Sequence, residues 1–301
     1  MKYMDLKKDL IEIVKKELVY NRVEFSEEWD DHTILTTYLE VRQRMFDSSI
    51  PYRVVFSDVL LHKIPYLDVA EQEALTDIIK RLEKCETLEP YMSKLIHKTD
   101  MPNTDFLLKN WGIYHLHLEK IEGIKTKFTM PNLLFFQVKG QIVHFIDVKP
   151  HPKGHTWFDR KLLEIIYSTW PWLLVYLKDV KLLNEIPDNI IHTATKNMGI
   201  GVNIKGNVVI PSNLGVMTSG NSTKAVLETN KIFNAITKSE IYIKDHEAEI
   251  KKAIMKETGV KIKGELDFEL RIEEGYAIAF EKESGFKLKL PFKIGFLKST
   301  Q

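Results

Sequence analysis

The sequence predicts an α+β fold: a helical N-terminal region, a central antiparallel sheet built on a hairpin, and a C-terminal α+β region. Three observations lead there. Apolar residues recur at helical spacing through the first hundred positions, change to strict alternation near Trp111, and switch period again further on. Consecutive hairpins, rather than regular strand–helix alternation, mark antiparallel pairing. The chain has 301 residues, 44% hydrophobic and 28% charged, which suffices for a sizeable core and excludes a chain disordered throughout.

The elements follow in order. Leu6, Leu10, Ile13 and Leu18 fall near helical spacing and predict an amphipathic helix over 3–19. The acidic run "EFSEEWDDH" makes a turn, and a helix follows from about Asp31 to Asp47. "YRVVF" is a short strand. In "DVAEQEALTDIIKRLEKCE" the stripe of Leu75, Ile78, Ile79 and Leu82 predicts a helix over 68–86, with Cys85 near its end as a buried, inert thiol. From Trp111 to Leu118 the pattern alternates: Trp111, Ile113, His115 and His117 point one way, Tyr114, Leu116 and Leu118 the other. "NLLFFQVKGQIVHFIDVK" is a hairpin about Lys139-Gly140, which sets Phe136 opposite Val143, Leu134 opposite Phe145 and Asn132 opposite Asp147. Asp147, Lys149 and His151 then share a face by period two. "DRKLLEIIYSTW" is a helix stopped near Pro171. A smaller hairpin turns at Lys205-Gly206-Asn207, a polar loop "SNLGVMTSGNST" leads into a long helix over about 222–257, and strands joined by Glu-Gly and Ser-Gly turns end the sequence. The implied division is 1–105, mainly helical; 106–185, central sheet and helix with the candidate active site; and 186–301, C-terminal α+β.

Bulk properties narrow the function classes. A net charge of +1 gives no global basic field, though a local patch can still bind nucleic acid. Cys85 is the single cysteine, so an internal disulfide and a cysteine zinc site are excluded, and a reducing, cytoplasmic setting is expected. "MKYMDLKKDLIEIVKKEL" lacks the continuous apolar stretch of a signal peptide. "WPWLLVYL" is far short of a membrane span, so no membrane association is expected.

Chemistry concentrates in the middle. Ten histidines occur, and His115, His117, His144, His151 and His155 lie within 115–155. Imidazole titrates near neutral pH and suits proton transfer to and from a ribose hydroxyl or leaving oxygen. It is also a metal ligand, and His115 and His117 with Asp147 or His151 would form such a set. Lys120, Lys125, Lys127, Lys139, Lys149, Lys153, Arg160 and Lys161 cluster about the same hairpin with Trp111, Tyr114, Phe128 and Trp157. Cations interleaved with rings suit RNA, while strand-edge lysines also discourage sheet aggregation. Gly220, Ser222 and Thr223 precede a helix and could hold an anion or simply cap it.

Two resemblances attach to these residues. "IDVK" is similar to the core of restriction-endonuclease-like enzymes, with Asn132 of "MPN" where that family carries an aspartate. It implies a Mg²⁺-dependent DNA nuclease using Asp147 and Lys149. "NLLFFQVKGQIVHFIDVKPH", with the strand before it, resembles over residues 111–151 the hairpin of RelE-type mRNA interferases, which cut RNA without metal through the ribose 2′-hydroxyl. His151 matches that family's basic residue after the second hairpin strand, and Lys125 or Lys127 its arginine before the first. The whole chain also resembles uncharacterised bacterial proteins. The leading expectation is therefore a metal-independent ribonuclease of toxin or phage-defence type, without cofactor, acting on RNA, with a protein antitoxin as partner. His115 and His117 would serve as base and acid, Lys149 and His151 would stabilise the phosphate, and Lys125, Lys127, Lys153 and Arg160 would hold the backbone. The alternatives are the Mg²⁺-dependent nuclease and a non-catalytic binding or sensor protein of a defence or mobile-element system.

Overall fold

A computed structural model describes residues 4–47, 49–98, 105–119, 132–151, 158–182, 184–194 and 199–294, without the side chains of 94 and 95. The α+β class holds. Helix α1 (Leu6–Tyr20) starts at Asp5, whose carboxylate accepts from the Lys8 amide, and buries Leu6, Leu10, Ile11, Val14 and Leu18. Helix α2 is Asp31–Arg44. The chain divides into two compact units that do not follow the three expected regions: residues 43–224 form one, and 1–42 with 225–301 form the other.

The unit of residues 43–224 holds, in order, β1 (Arg53–Phe56), α3 (Asp58–Lys63), α4 (Val69–Glu83), β2 (Ile113–His117), β3 (Leu133–Lys139), β4 (Ile142–Lys149), α5 (Arg160–Thr169), β5 (Val175–Leu177), α6 (Asp188–Ala194), β6 (Val202–Ile204) and β7 (Asn207–Ile210). Its central sheet runs β1-β4-β3-β2. The expected antiparallel sheet is in fact mixed, because β1 joins the edge of β4 in parallel. The chain between them is long enough to make that crossover.

Both faces of the sheet are covered. On one, Leu116, Leu134, Phe136, Val143 and Phe145 pack with Leu75, Ile78 and Leu82 of α4. On the other, Ile113, Leu133, Phe135 and Ile146 pack with Leu162, Leu163 and Ile166 of α5 and with Val202, Ile204 and Val209 of a small sheet ordered β5-β7-β6. Double coverage explains why β3 reads "LLFF" without alternation. Strand β5 lies inside "WPWLLVYL", where α5 ends at Thr169, Pro171 opens a short 3₁₀ turn to Leu173, and the apolar run then pairs with β7.

Cys85 departs from expectation. It is exposed, with φ +60°, at the left-handed position just after α4. The Glu86 amide closes onto the Arg81 carbonyl at 2.9 Å, the six-to-one bond of a Schellman ending.

The other unit continues with α7 (Thr223–Asp245) and α8 (Glu247–Thr258), two helices broken at His246 where one was expected. Strands β8 (Phe268–Glu273), β9 (Tyr276–Glu281) and β10 (Lys287–Lys293) form an antiparallel sheet in the order β10-β9-β8. Asp9 of α1 accepts from the Leu270 amide of β8 at 2.9 Å, and Glu240 of α7 accepts from the Leu6 amide at 2.8 Å. These bonds span more than two hundred positions, which is why local pattern did not reveal the unit. No helix among the described residues is long and apolar enough to cross a membrane.

Candidate functional site

The site is built on β2, β3 and β4. The hairpin turns one residue later than expected, at Gly140-Gln141, with Lys139 opposite Ile142 and Phe136 opposite Phe145. Gly140 takes φ +59°, the left-handed conformation that the turn requires. Between Phe135 and Phe136 the register then slips: Phe135 pairs with Asp147, Leu134 with Val148 and Leu133 with Lys149, leaving Ile146 as the extra residue of a β-bulge.

The bulge decides which face carries the lysine. In an unbroken strand Phe145 and Lys149 would share a face, because side chains alternate. The extra residue inverts the alternation. Val148 joins the α4 core with Phe145, and Lys149 turns to the face of Leu133 and His117. His117 is opposite Leu133, and Leu133 opposite Lys149, so imidazole and ammonium rise from one cross-strand row about 10 Å apart.

Three of the expected histidines meet. The His115 and His117 rings have centroids 6.2 Å apart, and His151, just past the end of β4, stacks on His117 at 6.1 Å with 25° between planes. All three are half-buried. Burial, then the like charges of His115 and His151, lower the His117 pKa from 6.5 to about 4, against a weaker upward pull from Glu119. His117 is therefore a neutral imidazole at neutral pH.

A carboxylate that the sequence reading missed stands behind the cluster. Asp105 Oδ2 lies 3.7 Å from His115 Nδ1. The Leu107–Trp111 segment is a single π-helical turn, opened by Asp105, whose carboxylate accepts from the Leu108 amide at 3.1 Å. The turn is closed by Gly112 at φ +65°. This folds the chain back so that Asp105 reaches His115, ten positions on. Burial raises the Asp105 pKa, and His115 pulls it back. The signal that could have found it is an aspartate at a helix start with glycine just past the end.

The remaining expected residues have other settings. Asp147 is 2% exposed and accepts from Lys63 Nζ at 2.6 Å and from its neighbour's Val148 amide at 2.9 Å. The alternative metal ligand is thus held in an ion pair with α3, and Asn132 donates to Glu71 at 2.6 Å. Lys149 pairs with Asp159, the residue that caps α5. Arg160 works within the fold rather than toward a ligand: its guanidinium bonds Asp188 and the carbonyls of Asn203 and Ile186, and its side chain is 14% exposed. His144 is buried edge-on against Trp170, with centroids 4.9 Å apart, and burial lowers its pKa. Lys125, Lys127, Lys153 and His155 lie outside the described residues.

In the loop before α7, the Thr223 amide donates to Gly215 and the Gly220 amide to Met217. Those amides hold the loop together rather than facing an anion. Among the described residues no group of three or more His, Cys, Asp or Glu side chains is arranged to hold a metal ion. No protein-family model matches the chain, and no curated protein or solved structure is significantly similar to it.

Proposed function

We propose that the histidine cluster cleaves RNA without metal, using the ribose 2′-hydroxyl as nucleophile. The observation that carries this reading is the gathering of His115, His117 and His151 on one sheet face, rings about 6 Å apart, with Asp105 behind His115 and Lys149 in the row of His117. Neutral His117 accepts the 2′-hydroxyl proton as the oxygen attacks phosphorus. His115, oriented by Asp105, gives a proton to the departing 5′-oxygen as the P–O5′ bond breaks. The products are a 2′,3′-cyclic phosphate and a free 5′-hydroxyl. Lys149 and His151 offer positive charge to the phosphate in the transition state. Lys149 exchanges Asp159 for the phosphate when RNA enters. The fit is with a cytoplasmic toxin or phage-defence ribonuclease held in check by a protein antitoxin.

The reading is tested with single-stranded RNA and purified protein. Cleavage is expected to survive EDTA, to leave cyclic phosphate ends, to fail on 2′-O-methyl RNA, and to fall at least about a hundredfold in His117→Ala, the lower end of a general-base contribution. Full cleavage by both His117→Ala and His151→Ala, or loss on chelation, would rule the mechanism out. Loss on chelation would instead favour the Mg²⁺ reading with Asp147 and Lys149, which requires the Lys63–Asp147 pair to open.

A further inference from the structure

The sheet β8-β9-β10 carries a second gathering of cations and rings, wholly within the unit formed by the two ends of the chain. Its strands pair so that Glu273, Tyr276 and Lys293 make one row, Arg271, Ile278 and Lys289 a second, and Glu269, Phe280 and Lys287 a third. The opposite face is buried through Leu270, Ile272, Ala277 and Ala279. On the face of these rows Lys287, Lys289 and Lys293 are exposed, and Tyr276 and Phe280 are half-buried.

Although exposed, the Lys289 and Lys293 cations lie against a ring, as Arg271 does. The Lys289 and Lys293 ammonium groups sit 3.4 and 4.2 Å from the centroid of Tyr276, and the Arg271 guanidinium sits 3.3 Å from that of Phe280. Arg271 is paired with Glu269, and Lys287 with Glu273. Among the described residues, Lys289 and Lys293 have no carboxylate partner. Both sit on one ring, so they are within about 8 Å of each other, where like charges repel and a shared anion relieves both. They also draw the Tyr276 phenol below its ordinary pKa. Lysines that merely guard a sheet edge need only point outward. Here two are gathered over one ring, a pair of cations above an aromatic floor.

We propose that this face binds a single-stranded polynucleotide, with phosphates on Lys289 and Lys293 and unpaired bases on Tyr276 and Phe280. The two rings stand four residues apart on one face of β9, about 13 Å, with Ile278 between them. Stacking displaces the cations from the rings toward the phosphates, so the free protein's contacts are exchanged rather than lost. The charge selects a polyanion, and the paired rings select exposed bases over a duplex or an acidic peptide. This inference goes beyond the histidine reading and does not depend on it.

The experiment measures fluorescence anisotropy of a labelled 2′-O-methyl 12-mer of uridylate on the whole protein. That probe cannot be cut through its 2′ position, so failure of the cleavage reading leaves the result intact. Binding is expected to weaken with salt. The Lys289→Gln/Lys293→Gln pair is expected to reduce the log–log salt slope by about 1.4, at about 0.7 per phosphate contact. Tyr276→Ala is expected to weaken binding by about 5- to 150-fold, the equivalent of roughly 1–3 kcal/mol per stacked base, while Tyr276→Phe restores it to within about twofold. Circular dichroism checks that each variant is folded. Absence of saturable binding at about 50 mM salt, unchanged affinity in Tyr276→Ala, or equal competition by polyglutamate overturns the proposal.

Discussion

Lowering the pH isolates the burial of His117. Its folded pKa is about 4 against an ordinary 6.5, chiefly through desolvation, with His115 and His151 adding like-charge repulsion. Near pH 6.5 the unfolded chain takes up a proton that the folded chain refuses until about pH 4. The stability contributed by neutral His117 is therefore complete above about pH 6.5 and is lost as pH falls toward 4. Each pH unit in that window costs about 1.4 kcal/mol, so moving from pH 7.5 to 4.5 costs roughly 2.5 kcal/mol. The assay is urea unfolding of the wild type and His117→Gln at both pH values. Carboxylates titrate in both proteins and cancel in the difference. Wild type is expected to lose roughly 2.5 kcal/mol more than the variant between the two conditions. The His117 ring protons, followed by NMR, are expected to titrate near pH 4, and His115→Gln to raise that midpoint by removing one like charge. Parallel stability curves, or a ring titrating near its ordinary value, would refute the burial argument. If His117 is the base in RNA cleavage, the acid limb of kcat/KM falls near pH 4, not near 6.5.

Further outcomes follow from single contacts. Cys85→Gly removes a side chain from a left-handed residue and is expected to stabilise the protein by about 1 kcal/mol in thermal unfolding, while the wild-type thiol labels readily in the native state. Gly112→Ala places a Cβ at φ +65°, 3.4 Å from Asn213 Nδ2, and is expected to cost about 1–2 kcal/mol in urea unfolding; unchanged stability would contradict the left-handed requirement there. Lys63→Ala leaves the Asp147 carboxylate 2% exposed without its cation and is expected to cost about 1–3 kcal/mol, less than a fully buried pair because Lys63 is 42% exposed. Adding Asp147→Asn is expected to recover part of that loss, and equal stability of Lys63→Ala and wild type would contradict the pairing.

The α+β class, the amphipathic helices, the hairpin β3–β4 and the shared face of His115 and His117 were legible in the sequence. Period and turn chemistry are local, and an apolar stripe or a glycine turn says the same thing in any context. Residues carrying contacts across the fold were not legible in the same way. Arg160 and Asp147 were read as binding groups, yet they bond to Asp188 and Lys63, whose proximity no local pattern encodes. Asp105 reached His115 only through a π-helical turn, a rare form that helical periodicity does not anticipate.

Sequence alone thus determined which residues alternate and where the chain turns, because neighbouring side chains and backbone torsions settle those matters. Only the tertiary structure decided that Lys149 stands with the histidines. Side-chain direction along a strand has period two, so the single extra residue at Ile146 reverses everything beyond it, placing Val148 with Phe145 in one core and Lys149 on the other face. The union of the chain's two ends into one unit was likewise decided only in three dimensions, where carboxylates of one end accept from backbone amides more than two hundred positions away.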